Sequence, residues 1–235
     1  MVKIGIINDI HGNVEALKRI LDEMNKYHFD YIFCTGDMIG IGPSHNEVLE
    51  ILSQIPNLEV VKGNHEDYYL HGFHNPGAAL EEKFHNWVKD TMNHKYDSFL
   101  NSLEYLKIYN IEGFKIALLH YPRLTDDSKF HLIYPDKSYE FLLSLFSYID
   151  ADIYIYGHDH YPNILEKNKV LINIGSSGCS NINVGFTRFG ILILDNKKYQ
   201  IETKLIPYDI QPEIDLLEKE NVPDKELIEK IFFKK

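Results

Sequence analysis

An apolar run at residues 2–7, broken only by Lys3, predicts a strand buried on both faces. Behind it, Val14, Leu17, Ile20, Leu21 and Met24 keep helical spacing, and Asn13 stands where a side-chain oxygen can cap the first turn. A second strand is predicted at 31–34. A helix follows over 44–52, with Val48, Leu49 and Leu52 on one stripe. Pro56 then separates that helix from a third strand at 58–61. Strand, helix, strand, helix, strand is the pattern of a parallel sheet with helices packed on it.

That rhythm breaks over 66–110. The stretch holds Tyr68, Tyr69, His71, His74, His85, Trp87 and His94, with an amphipathic helical pattern at 78–92. It reads as a helical cap inserted near a site, or equally as a helical pair on a sheet edge. Strand patterns resume at 114–119, and a helix is expected over 137–149. Further strands are predicted at 152–156, 170–174, 189–194 and 200–205. The short connections between these last strands suggest hairpins and a second, more antiparallel sheet. After Pro212 a short charged helix is expected at 225–230. The expectation is one α/β domain over 1–235 with an insertion at 66–110.

Composition narrows the picture. The chain has 235 residues, 44% of them hydrophobic, which is ample for a sizeable core. Its formal net charge of −11 disfavours non-specific binding to large nucleic acids or anionic membranes. An anionic small molecule stays compatible, because bound cations invert the local field. With only two cysteines, Cys34 and Cys179, neither a disulfide framework nor a Cys-built zinc site is expected. No apolar run is long enough to span a bilayer and no leader precedes the first strand, so a cytoplasmic location is the expectation.

The chemistry lies in five short clusters of Asp, Asn and His, most of them directly after a predicted strand. They are Asp9-Ile10-His11, Gly36-Asp37, Gly63-Asn64-His65-Glu66, His120, and Gly157-His158-Asp159-His160. Sites in α/β sheets form beyond the carboxyl ends of strands, so ligands scattered in sequence converge if those strands lie side by side. Taken singly each cluster has a plain structural reading: an Asp capping a turn, or a satisfied core histidine. Five in the same setting point instead to a metal centre, and imidazole with carboxylate suits a divalent transition metal rather than calcium. Two neighbouring cations need one common ligand, and Asp37 is the natural bridge. Asp9, His11 and one of the two C-terminal histidines are then left for one ion. Asn64, His120 and the other histidine are left for its neighbour.

This pattern resembles that of the calcineurin-like metallophosphoesterases, over most of the chain from the first strand to about Asp209. The resemblance implies a two-sheet β-sandwich of mixed strands flanked by helices. It also implies that Asp9, His11, Asp37 and His160 hold one metal and Asp37, Asn64, His120 and His158 the other. His65 would then contact the phosphate and protonate the leaving oxygen. Phosphoprotein phosphatases and dinucleoside tetraphosphate hydrolases carry Gly-Asp-x-x-Asp-Arg-Gly, whereas Asp37 is followed here by Met38-Ile39-Gly40-Ile41-Gly42-Pro43. Gly40-Ile41-Gly42-Pro43 and Asn173-Ile174-Gly175-Ser176 are similar to the small prokaryotic phosphodiesterase branch. In that branch Ser is common where Asn8 stands, and an Arg where Asn181 stands. Arg123 or Arg188 would supply the missing charge, unless each is a solvated surface residue.

The function expected is a dinuclear metal-dependent phosphoesterase, most of all a phosphodiesterase of a small or nucleotide diester, working by attack of a metal-bound hydroxide. Manganese is the first choice of metal, with iron, nickel, zinc and magnesium open. Alternatives are a phosphomonoesterase, a phosphoprotein phosphatase, or a scaffold that keeps the fold without catalysis. Tyr68, Tyr69 and Trp87 stand as base-stacking candidates, or as core of the insertion.

Overall fold

The computed structural model describes residues 1–73, 79–124 and 129–233. The opening matches the sequence pattern: β1 (Val2–Ile7), α1 (Val14–Met24), β2 (Tyr31–Cys34), α2 (His45–Leu52) and β3 (Leu58–Val60). β1 pairs with β2, and β2 with β3, in parallel. Asn13 caps α1 as expected, its Oδ1 accepting the Ala16 N–H at 2.9 Å. Next come α3 (Asn64–His71), α4 (Ala79–Thr91), a 3₁₀ turn (His94–Tyr96) and α5 (Asp97–Ser102). After these lie β4 (Leu106–Ile111), β5 (Phe114–Leu119), α6 (Tyr139–Leu145), β6 (Ile153–Ile155), β7 (Asn163–Glu166) and β8 (Val170–Asn173). The chain closes with β9 (Phe186–Asp195), β10 (Lys198–Pro207), α7 (Gln211–Lys219), α8 (Lys225–Ile228) and a π-type turn over Glu229–Phe233.

Two five-stranded sheets result, in the orders β10-β9-β1-β2-β3 and β4-β5-β6-β8-β7. Both mix parallel and antiparallel neighbours, and helices cover their outer faces. The expectation that the last strands found a second sheet needs correction. β9 and β10 do form a hairpin, through Asn196 and Lys197 at φ 46° and 62°, the left-handed pair a two-residue turn requires. That hairpin extends the first sheet, because β9 is buried along most of its length and pairs antiparallel with β1. The second sheet has a parallel centre, β5-β6-β8, with β4 and β7 antiparallel at its edges. β4, which falls within the end of the stretch expected to be helical over 66–110, belongs to that second sheet. His74 and the start of the predicted helix at 78 lie outside the described residues.

Ile4, Ile6, Phe33, Ile116, Leu118 and Leu192 meet between the sheets. A second cluster packs α1, α2 and residues of α3–α5 (Tyr69, Phe84, Val88, Leu100) on the outer face of the first sheet. A third places Leu142 and Phe146 of α6 on the outer face of the second. Each fully buried Ile, Leu or Phe in these layers is worth about 1.5–3 kcal/mol of transfer free energy. Cys34 and Cys179 are both buried thiols. Among the described residues, no helix is long and apolar enough to cross a membrane.

Candidate metal centre

Asp9 and His11 follow β1, Asp37 follows β2, and Asn64 and His65 open α3 beyond β3. His120 follows β5, and His158 and His160 follow β6. Both sheets deliver these carboxyl ends to one edge of the sandwich, so all seven predicted ligands and His65 meet there. Donor atoms of Asp9, His11 and His160 lie within 4.8 Å of one another, as do those of Asp37, His120 and His158, and those of His11, Asp37 and His65.

Asp37 sits at the middle. Its Oδ1 accepts the His65 N–H at 2.9 Å, while its Oδ2 lies 3.6 Å from His11 Nε2 and 3.3 Å from His120 Nε2. One carboxylate oxygen thus faces a histidine from each half of the cluster. On one side His11 Nε2 and His160 Nε2 are 2.8 Å apart. On the other, Asn64 Oδ1 lies 2.9 Å from His120 Nε2 and 2.8 Å from His158 Nδ1. The remaining ring nitrogens of two histidines fix their tautomers. His120 Nδ1–H donates to the Thr35 carbonyl at 2.9 Å and His11 Nδ1–H to that of Ile39 at 3.3 Å. A carbonyl only accepts, so in the neutral form of each ring the proton sits on Nδ1 and the Nε2 lone pair is aimed into the cluster.

This donor set fits divalent cations. Asp9 Oδ1 accepts the His158 N–H at 3.0 Å, but its Oδ2 is buried with no hydrogen-bond partner, an acceptor that a cation would satisfy. Burial, and then its neighbour His160, holds His11 well below the usual imidazole range. Burial likewise pulls His158 down to about 3 and His160 to about 4, leaving neutral rings of the kind that ligate metals. Burial acts on His120 too, but Asp37, Asp9 and Glu66 outweigh it and lift this imidazole to about 9. For Asp37 burial is again overcome, here by the surrounding histidines, and its carboxyl stays well below the ordinary value. Asp9, where burial wins, rises to about 7.

The backbone is strained where it presents these side chains. Asp9, His11, Asp37, His158 and His160 all have left-handed φ, at 49°, 50°, 50°, 76° and 55°. Gly63 explains one glycine of the motifs, since a Cβ there would sit 2.2 Å from Asp37 Oδ1. Glu66, which the sequence pattern supplied only as the end of a motif, ties two loops together. Its Oε2 accepts N–H bonds from Asp37 and Gly63, both at 2.8 Å, and its Oε1 from Met38 at 2.8 Å and Ile39 at 3.3 Å. Its position three residues after Gly63 is the capping-box spacing at the start of α3, the signal that would have found it.

A second network supports the site. Asn8 Nδ2 donates to Tyr156 O and Asn173 Oδ1, and Asn173 Nδ2 donates to Asp159 Oδ1 at 2.7 Å. Asp159 in turn pairs with Lys137 Nζ at 2.7 Å, which fixes the loop between His158 and His160.

The other candidates divide. Tyr69 is buried, with its hydroxyl donating to Asp97, and the half-buried Trp87 packs on Phe84 and His45. Tyr68 instead stands beside His65, with ring centroids 5.7 Å apart. Arg123 lies over the Tyr105 ring at 3.5 Å and reaches Asp67 at 3.5 Å. Arg188 is no solvated surface residue. It is buried, and it donates to Ile174 O, Ser180 Oγ and Asn183 Oδ1, pinning the loop that runs under Asp9.

Residues 2–197 match the calcineurin-like phosphoesterase superfamily domain. The chain is 30% identical to an uncharacterized protein of Methanocaldococcus jannaschii, across 95% of this chain and 96% of that one. It is 27% identical to a symmetrical bis(5'-nucleosyl)-tetraphosphatase of Baumannia cicadellinicola, over 51% of this chain and 41% of the relative. In structure it is similar to a metallophosphoesterase from Sphaerobacter thermophilus, with a TM-score of 0.78 and 20% identity over 98% of each chain.

Proposed function

The chain belongs to the calcineurin-like phosphoesterase superfamily, and on that premise we propose that it is a dinuclear metal-dependent phosphodiesterase acting on a nucleotide or another small phosphodiester. The observation that carries this reading is the position of Asp37, whose Oδ2 faces His11 and His120 together. Asp9, His11, Asp37 and His160 would hold one ion; Asp37, Asn64, His120 and His158 would hold the other. Manganese is our first choice. When bound, such a pair of ions supplies Lewis-acid stabilisation of the phosphoryl oxygens and lowers the pKa of water.

The chain's own residues do the rest. His65 is the group we assign to protonate the leaving oxygen. Its Nδ1 packs so closely on Gly40 that a Cβ there would lie 2.1 Å away, which leaves Nε2 as the donating atom. The peptide N–H of His65 donates to Asp37 Oδ1, coupling the position of the acid to that of the bridging carboxylate. The missing Asp-Arg pair after Asp37 argues against a phosphoprotein phosphatase. The same absence sets the chain apart from the dinucleoside tetraphosphate hydrolases, so the partial likeness to a bis(5'-nucleosyl)-tetraphosphatase supports a nucleotide as substrate and not that particular hydrolysis.

The test is turnover of bis-p-nitrophenyl phosphate with manganese. His65→Ala is expected to lower kcat about 10²–10⁴-fold with metal content retained. Asp37→Ala is expected to lose bound metal and activity together. Undiminished turnover in both variants would refute these roles.

A further inference from the structure

Beyond His65 the cluster of imidazoles continues into a wall of rings. His65 lies 4.8 Å from His11, by ring centroids, on the metal side, and 5.3 Å from His85 of α4 on the other. His85 is stacked on Phe73, with centroids 4.4 Å apart and an interplanar angle of 28°. Tyr68 stands edge-on to both, at 5.0 Å and 86° from Phe73 and at 4.8 Å and 69° from His85. Tyr68, Phe73 and His85 are all only half-buried. Tyr69, the next residue after Tyr68, is by contrast enclosed at 5% exposure.

We propose that Tyr68, Phe73 and His85 form the leaving-group subsite, and that it takes the flat ring of a nucleoside or aryl ester. The direction of the wall follows from the assigned acid, so this inference rests on the reading of His65 given above. If the phosphoryl group lies on the Asp37 side and His65 protonates the ester oxygen, whatever that oxygen carries must extend toward His85 and Phe73. None of the three side chains offers a cation, and burial keeps the His85 imidazole neutral. A polyphosphate chain as leaving group would find no counter-charge on them, whereas a base would find π-faces. Stacking of this kind is sequence-tolerant, because every base has a π-face.

The experiment compares binding of adenosine 5'-monophosphate and ribose 5-phosphate by calorimetry on the full chain with manganese. The two ligands share the phosphate and sugar and differ only in the base. The nucleotide is expected to bind at least tenfold more tightly, and this ratio is expected to fall toward one in Phe73→Ala. Phe73→Leu keeps apolar bulk without a flat face, so it answers the same question if the alanine variant fails to fold. A ratio near one in the wild type, or a ratio unmoved in the folded variant, overturns the subsite. Because binding is read without turnover, the two readings fail separately. A large ratio in a protein that hydrolyses no phosphoester would leave the base subsite standing and sink the phosphodiesterase assignment.

Discussion

Replacing Glu66 by glutamine barely changes side-chain volume, yet it should be among the most damaging single changes outside the ligands themselves. Each carboxylate oxygen of Glu66 accepts two backbone N–H groups, from Asp37 and Gly63 on Oε2 and from Met38 and Ile39 on Oε1. The residue has 0% exposure, so no water can substitute. Glutamine has one acceptor oxygen and one NH₂, and whichever way it turns, two peptide N–H groups face a donor. A buried donor left unsatisfied costs about 1–3 kcal/mol, so the pair costs about 2–6 kcal/mol, a large part of the 5–15 kcal/mol typical of whole domains. Urea unfolding of wild type and Glu66→Gln measures this directly. Metal content by equilibrium dialysis should fall with it, since the loop that carries Asp37 loses its anchor. A loss below about 1 kcal/mol with full metal content would show that the four N–H bonds do not hold the loops as argued.

Two further outcomes follow from geometry and burial. Gly40→Ala places a methyl group against the His65 ring at a residue with φ 82°, so turnover of bis-p-nitrophenyl phosphate should drop at least as far as in His65→Ala; wild-type turnover would contradict the close contact. Glu213 is buried, accepts bonds from Glu15 N and Ser44 Oγ, and is raised to about 7 by burial. A carboxyl whose folded pKa exceeds its unfolded value stabilises fully below about 4.5, and that stability is lost as the pH rises through about 7. Between pH 4.5 and 8 the wild type should therefore lose about 3 kcal/mol relative to Glu213→Gln, measured by urea unfolding at both pH values; parallel pH profiles would exclude the effect.

Much of the fold was legible because its signals are local. Val2–Ile7 and the helical spacing of Val14 to Met24 define β1 and α1 with no tertiary information. β4 was hidden because Lys107 and Asn110 interrupt an edge strand with one outward face, inside a stretch dominated by helical patterns. β7 has four residues and none fully buried, so no hydrophobic period marks it. The sheet that β9 joins is decided by pairing with β1, some 190 residues away in sequence, which no local window carries. At the site, Asp, His and Asn are conspicuous by residue type, whereas Glu66, Asn173 and Lys137 act through backbone and neighbours and resemble ordinary polar positions. Phe73 and His85 meet through a fold of the insertion that composition alone does not reveal.

The five left-handed backbone positions among the proposed ligands have a consequence for how ions would be acquired. Such conformations cost about 1–3 kcal/mol each and persist because Glu66, the Asn8–Asn173 network and the packed sheet ends over-determine them. On the proposed ligand set, the polypeptide's own hydrogen bonds shape the site, and the entropy of assembling its walls is spent during folding. With those ligands, an incoming ion would shed its hydration and displace the His120 proton, and one ion would replace another without the chain rearranging.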